Sequence, residues 1–286
     1  MIDDLYTRFR AYYMPHGGIS MSYLVDSSFT LIEARYNDDN IHKIRGEMEL
    51  AGCTSIGLLH ISNWGIEYCD SGEIENLLRD LQPLEVEIPG YEPTDDNGRQ
   101  CRRKIREYCN RSDLSELFEA GPRTLKDPTN LPDVDFTDLI FSPLKKYDDE
   151  DANSVIKIFR QGKFSLLNVS KSNKANEVID GLNKTDLTSF VDVLITYYYD
   201  DLNGNNFIDG AFLDVVNPQM IALAGKEPQL MVKMNNNLED RGIRASRTEQ
   251  GDILVKYGIM SRKERLTLEK GDSVGNGEYK RLIDEK

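Results

Sequence analysis

Histidine is the side chain that most readily activates water or holds a transition metal near neutral pH. It occurs only at His16, His42 and His60, and no two of these have the spacing of a helical or loop metal clamp. A multi-histidine metal centre is excluded by counting. Oxygen ligands are more plentiful. The run Asp201-Leu-Asn-Gly-Asn-Asn-Phe-Ile-Asp209 resembles a calcium loop whose oxygens come from Asp201, Asn203, Asn205 and Asp209. It departs from that pattern at Asn206, where glycine is expected, and at Phe212, where a bidentate acid is expected. A solvated turn is the reading favoured. Asp148-Asp149-Glu150-Asp151 is an acidic run that repels itself and stays in water. The four cysteines, Cys53, Cys69, Cys101 and Cys109, form no CxxC pair, so reduced thiols are expected. A nucleophilic Cys69 would need His60 as its base. No phosphate-binding P-loop, nucleophile elbow or dinucleotide fingerprint is present.

Two further groups have side chains suited to binding. Tyr197, Tyr198 and Tyr199 could stack a base or nucleotide, aided by Trp64 and Tyr68, although aromatic residues at a sheet end more often pack. Arg99, Arg102, Arg103, Lys104 and Arg106 form the one dense basic run, suited to phosphates or an acidic partner, or else to a solvated helix face.

The chain that must position these residues has 286 residues, enough to bury roughly three quarters of its unfolded surface. Its formal net charge is −14, which disfavours a broad footprint for nucleic-acid backbones. No apolar run approaches the roughly 20 residues that span a bilayer, and the first ten residues hold no apolar signal segment, so a cytoplasmic protein with no membrane contact is expected.

Apolar patterning predicts strands over Tyr6 to Met14, Ser20 to Val25 and Phe29 to Ala34, a small meander. A helix follows from Asp39 to Leu50, with Gly52 as its stop. Ile56 to Ile61 is a continuous apolar run, as a strand covered on both faces would be. A helix from Ser71 to Leu81 ends before Pro83, and Leu84 to Ile88 alternates like a strand, which makes a parallel crossover. Residues 90–135 read as a loop-rich insertion holding a basic helix from Asn97 to Cys109. Strands return at Phe136 to Phe141, Ser154 to Phe159, Phe164 to Val169, Val191 to Tyr197 and Gln219 to Ala224, and near Ile243 to Arg247 and Asp252 to Tyr257. Helices are expected near Lys171 to Gly181, Phe207 to Val215 and Gln229 to Asp240. Two halves that each pass from adjacent strands into strand–helix alternation fit an α/β four-layer αββα sandwich as one domain, residues 1–270, with a polar tail at 271–286. Two domains joined near Gly121 to Pro132 are the alternative.

The stretch Leu58-Leu-His-Ile-Ser-Asn-Trp-Gly-Ile-Glu-Tyr-Cys-Asp-Ser-Gly72 resembles the strand-to-helix turn of the metallo-β-lactamase superfamily, and within it the competence-type DNA-uptake hydrolase branch. Gly17-Gly18 is similar to that family's early glycine-rich turn, and Leu31-Ile-Glu-Ala to its Leu-Ile-Asp-Ala strand end. Ser154 to Phe159 followed by Lys163-Phe-Ser-Leu-Leu167 resembles the strand pair ending in Thr-Gly-Asp, and Val191-Asp-Val-Leu-Ile195 the strand before His-His-Gly. Phe212 to Pro218 and Arg247 to Ile253 resemble its later helix-plus-proline and final hairpin, so the likeness runs along almost the whole chain.

The resemblance implies the αββα fold and a two-metal hydrolase whose ligands lie on H-x-H-x-D-H. Those six positions fall here on Asn63, Trp64, Gly65, Ile66, Glu67 and Tyr68; the Asp of Thr-Gly-Asp falls on Ser170, and His-His-Gly falls on Tyr198, Tyr199 and Asp200. Every histidine ligand is missing. A zinc-type ion lowers the pKa of bound water from about 15.7 to about 7, roughly 12 kcal/mol of nucleophile activation that amides and hydroxyls do not replace. The expectation is a non-catalytic, metal-free protein with no cofactor, acting as a regulatory or scaffolding subunit that binds a partner protein. A nucleotide or nucleic-acid end is a second ligand class for the vestigial pocket. By analogy the setting is a bacterial multi-subunit system, such as anti-phage defence. The rival is a phosphodiesterase or nuclease holding Mg²⁺ or Mn²⁺ with Glu67, Asp200 and Asp201.

Overall fold

The computed structural model describes residues 7–111, 115–120, 139–141, 146–149, 153–170, 191–197, 210–224, 238, 240–248, 251–257 and 266–271. Strands β1 (Thr7–Ala11), β2 (Met21–Val25) and β3 (Ser28–Ile32) form the expected antiparallel meander. Helix α1 (Ile41–Ala51) follows and stops at Gly52, whose φ of 67° is left-handed and lets its N–H reach the Glu49 carbonyl. Strand β4 (Leu58–His60), helix α2 (Ile74–Leu81) and strand β5 (Glu85–Pro89) then make the crossover, and β3, β4 and β5 pair in parallel.

Residues 90–120 correct the expectation of a loop-rich insertion. Helix α3 (Asp96–Arg111) and strand β6 (Glu116–Ala120) continue the alternation, with β6 parallel to β5. The charged sequence Glu-Leu-Phe-Glu-Ala hides this strand because it lies at the sheet edge, where polar side chains meet water. Residues 121–135 lie outside the described part.

The second half supplies β7 (Leu139–Phe141), β8 (Ile156–Phe159), β9 (Leu166–Asn168), β10 (Val193–Tyr197), helix α4 (Gly210–Val216), β11 (Met220–Ala224) and β12 (Arg244–Arg247). Two closing strands, β13 (Asp252–Tyr257) and β14 (Leu266–Gly271), return to the first sheet. Strand β14 was not legible in the sequence, and its last residue is the first of the expected tail; residues 272–286 lie outside the described part, as do the helices expected at 171–181 and over most of 229–240.

Among the described residues the strands form two sheets, ordered β14-β13-β1-β2-β3-β4-β5-β6 and β12-β11-β10-β9-β8-β7. Each passes from antiparallel to parallel pairing, the first at β3 and the second at β9. Alternation along the strands sorts the core into three layers. Phe9, Met21 and Ile32 of the first sheet meet Leu166, Val193, Ile195 and Met220 of the second. Leu24, Leu31, Leu59 and Val86 point the other way, onto Ile44, Leu77 and Ile105 of the helices. Leu167, Leu194 and Ile221 pack on Phe212, Leu213 and Val216 of α4. The result is a single-domain αββα sandwich, because one apolar layer is shared by both halves.

A buried ion cluster pins α1 to the first sheet. Glu47 Oε1 accepts from Arg8 at 2.6 Å and from Arg10 at 3.1 Å, while Asp252 takes Arg10 at 2.5 Å and Lys43 at 2.8 Å.

Candidate functional site

In sheets with parallel strands, loops leaving the carboxyl ends build the sites. Here the ends of β3, β4, β9 and β10 converge between the two sheets. The centre of that convergence is Glu33, the residue just after β3, which is fully buried. Its Oε2 accepts from the Ser62 N–H at 3.0 Å. Its Oε1 accepts from the Ser62 hydroxyl at 2.5 Å, from Asn168 Nδ2 at 3.2 Å and from the Tyr197 hydroxyl at 3.1 Å. Ser62 Oγ lies 3.0 Å from Ser170 Oγ, so the end of β4 touches the end of β9 across 108 residues of chain.

Glu33 and Ser170 both adopt left-handed backbone, with φ of 64° and 54°. Such a conformation costs a non-glycine residue about 1–3 kcal/mol and persists only where surroundings enforce it. Burial pushes the Glu33 carboxyl up from its ordinary pKa, opposed by His60 and by the Ser62 and Asn168 hydrogen bonds. Burial, together with the Glu33 carboxylate, drives the Tyr197 phenol well above its ordinary value.

The backbone of the turn after β4 is also held closed. Asn63 Oδ1 accepts from the Gly65 N–H at 2.6 Å, and Asn63 Nδ2 donates to Ser154 Oγ at 2.8 Å. The Tyr68 and Cys69 N–H groups both reach the Gly65 carbonyl, and the Ala34 N–H reaches the Tyr68 carbonyl at 2.7 Å. Arg35 clamps this turn from outside: its guanidinium holds the Ile66 carbonyl at 2.9 Å and both oxygens of Glu73 at 2.8 and 2.9 Å. Burial opposes ionisation of Glu73, yet the bonds from Arg35, Asn37 and the Tyr36 N–H win and hold its carboxyl below the ordinary value. Gly18, at φ 106°, is needed because a Cβ there would lie 2.7 Å from an Arg35 nitrogen.

A divalent ion needs several convergent donors with lone pairs to spare. At the expected positions Asn63 has its amide engaged at both ends, Gly65 has no side chain, and Ser170 Oγ faces Ser62. Glu67 points its side chain outward, while its carbonyl accepts the Ile19 N–H at 2.8 Å. Among the described residues no three His, Cys, Asp or Glu side chains gather as a metal site. The described donors, Asn63, Gly65, Glu67 and Ser170, do not by themselves fit the ions that the resemblance implies. Tyr198, Tyr199 and Asp200 lie outside the described residues, as do Asp201, Asn203, Asn205 and Asp209 of the calcium-like loop.

Several expected binding residues have structural partners. Trp64 and Tyr68 are each only 1% exposed; Trp64 sits in the core under the helices, and Tyr68 meets Tyr197 edge-on with ring centroids 5.2 Å apart. Neither ring offers a free face for a base. Arg102 pairs with Glu92 and Glu119, Arg106 with Glu119 at 2.7 Å, and Arg99 with Asp96 at 2.5 Å. Arg103 stays exposed. Cys69 is buried, and burial together with neighbouring Cys101 drives its thiol well above the ordinary value, so a thiolate nucleophile is disfavoured there. All four cysteines are free.

A second polar group, missed in the sequence, lies where β4, β5 and β8 meet. Glu87 Oε2 accepts from His60 Nδ1 at 3.0 Å and from Lys157 Nζ at 2.6 Å. Burial alone would raise its pKa, but the His60 hydrogen bond and the Lys157 charge outweigh it and hold the carboxyl at about 2. Phe159 packs beside both donors: the His60 ring meets it edge-on at 5.5 Å, and Lys157 Nζ lies 4.8 Å from its centroid. The available signal was a lysine inside an otherwise apolar strand, Ile156-Lys-Ile-Phe159, which requires a carboxylate partner if that strand is buried.

No family model matches the sequence, and no curated protein matches it. Solved structures do. The metallo-β-lactamase fold protein YhfI from Bacillus subtilis superposes with a TM-score of 0.56 at 8% identity, covering 87% of this chain and 99% of that one. Unliganded yeast PDE1 gives 0.48 at 9% identity over 86% of this chain and 99% of that one. Igni18, a metallo hydrolase from Ignicoccus hospitalis, gives 0.47 at 9% over 86% and 98%. The first likeness carries the fold. The chain has the metallo-β-lactamase fold, and among the described residues an amide at Asn63 and a hydroxyl at Ser170 stand where the resemblance places metal ligands.

Proposed function

We propose that this chain is a non-catalytic member of its fold, acting as a regulatory or scaffolding subunit that binds a partner protein. The observation that carries the reading is the saturation of Glu33. Its carboxylate sits at the strand ends where hydrolytic relatives would need a ligand-bearing cavity, and four donors of this chain already occupy it. The turn that would carry further ligands is closed on itself through Asn63 and Gly65. A site filled by its own side chains favours a fold kept for its surface rather than for chemistry. A multi-subunit bacterial assembly, such as an anti-phage system, is the setting that analogy supplies. No helix among the described residues is long and apolar enough to cross a membrane, which fits a partner reached from solution.

The test is hydrolysis of bis(p-nitrophenyl) phosphate by the purified protein with added Zn²⁺ or Mn²⁺. The expected result is no turnover above buffer. Metal-dependent turnover that disappears in Glu67→Ala overturns the proposal.

A further inference from the structure

Helix α3 divides its cations between two stripes. Arg99, Arg102 and Arg106 turn toward Asp96, Glu92 and Glu119 and are neutralised there. Lys104, Tyr108 and Arg111, spaced i, i+4 and i+7, face α2 instead, beside Arg103. Across from them α2 presents Leu78 and Arg79. Between the two helices lies an open groove of about 500 Å³, with Leu78 and Tyr108 as its apolar floor.

Its rim is basic on a strongly acidic chain. Four cations (Arg79, Arg103, Lys104, Arg111) and two carboxylates (Glu75, Glu107) border it, a local balance of about +2 where the whole chain carries −14. Lys104 is 26% exposed and holds the Ser71 carbonyl at 2.9 Å and Glu75 at 3.2 Å, whereas Arg79 and Arg111 lie mostly in water. Arg79 is 68% exposed beside Asp80, and Arg111 is 81% exposed with Glu107 at 3.5 Å. Surface pairs of this kind contribute little, so an incoming partner can replace them at small cost.

We infer that this groove docks an acidic segment of a partner protein, one apolar side chain seated on Leu78 and Tyr108 and carboxylates reaching Arg79, Arg103, Lys104 and Arg111. The inference deepens the partner-binding reading above and rests on it. Two features favour a protein over a nucleic acid. Glu75 and Glu107 on the rim would repel a phosphate backbone, whereas a protein segment of mixed charge can offer a basic residue to each. The apolar floor between charged walls matches the anchor-and-rim anatomy of protein interfaces.

The experiment uses the full chain and two fluorescein-labelled probes: an amphipathic peptide rich in Glu and Asp with a central Leu pair, and an oligothymidylate. Fluorescence anisotropy should show saturable binding of the peptide that weakens with added salt. Affinity should fall about tenfold or more in the double variant Arg79→Glu, Arg103→Glu, and fall in Tyr108→Ala, while Arg244→Glu, a charge change on β12, leaves it unaltered. Far-UV circular dichroism checks that each variant is folded. No peptide binding, equal binding by the double variant, or preference for the oligonucleotide overturns the inference. A native partner that co-purifies equally with wild type and the double variant overturns the groove and leaves the partner-binding reading intact. Metal-dependent turnover in the same preparations overturns the reading instead.

Discussion

Replacing Glu87 by Gln removes the carboxylate that Lys157 and His60 share between the sheets. The carboxyl is held at about 2 rather than its ordinary 4.5, so by linkage ionised Glu87 contributes on the order of 3 kcal/mol to the folded state. A carboxyl with depressed folded pKa gives stability that is fully present above its unfolded value of about 4.5 and is lost as pH falls through about 2. Urea unfolding followed by circular dichroism should therefore place Glu87→Gln about 3 kcal/mol below wild type at about pH 7, with the gap at least halved at about pH 3. Glu87→Leu combined with Lys157→Met should recover most of the loss, since a buried ion pair can be replaced by apolar groups of similar volume. A deficit under about 1 kcal/mol at neutral pH, or a gap independent of pH, refutes the electrostatic account of this cluster.

Glu33 predicts the opposite sign. Its folded pKa is raised, so its contribution favours the protonated form and is lost as pH rises from about 4.5 through the folded value. Relative to Glu33→Gln, whose side chain does not ionise, wild type should lose stability as pH rises above about 4.5; the same unfolding curves check it, and a gap independent of pH counts against it. At Gly98, near the start of α3, a Cβ would lie 2.7 Å from Pro93 Cβ and 2.9 Å from Trp64 Cβ. Gly98→Ala should cost about 1–3 kcal/mol by overpacking, despite alanine's better helix propensity. Equal or higher thermal stability would contradict that packing.

The sequence made much of the framework legible because local periods and stop signals agreed. The stretch from Ile41 to Ala51 with Gly52 reads as a capped helix, and Ile156 to Phe159 and Val193 to Tyr197 read as strands, since each pattern is set within a few residues. Strands β6 and β14 escaped notice because their charge pattern belongs equally to solvated loops, and pairing with a neighbour far along the chain or at a sheet edge decides the matter. The same reason hid the polar centres. Glu33 gains its meaning from Ser62, Asn168 and Tyr197, and Glu87 from Lys157, 70 residues away. The basic run was visible, but only the helix pairing of α2 with α3 separates the neutralised Arg99, Arg102 and Arg106 from the groove around Arg103. Trp64 and Tyr68 looked available for stacking because a sequence does not say which side of a turn faces the core.

Metal content tests the central claim most directly. The protein would be purified without chelators from cultures supplemented with zinc and with manganese, then analysed by inductively coupled plasma mass spectrometry. Saturation of Glu33 and closure of the Asn63 turn predict substoichiometric metal in both preparations and a melting temperature unmoved by either ion. Stoichiometric zinc or manganese that survives dialysis, together with a metal-dependent rise in melting temperature, would contradict it.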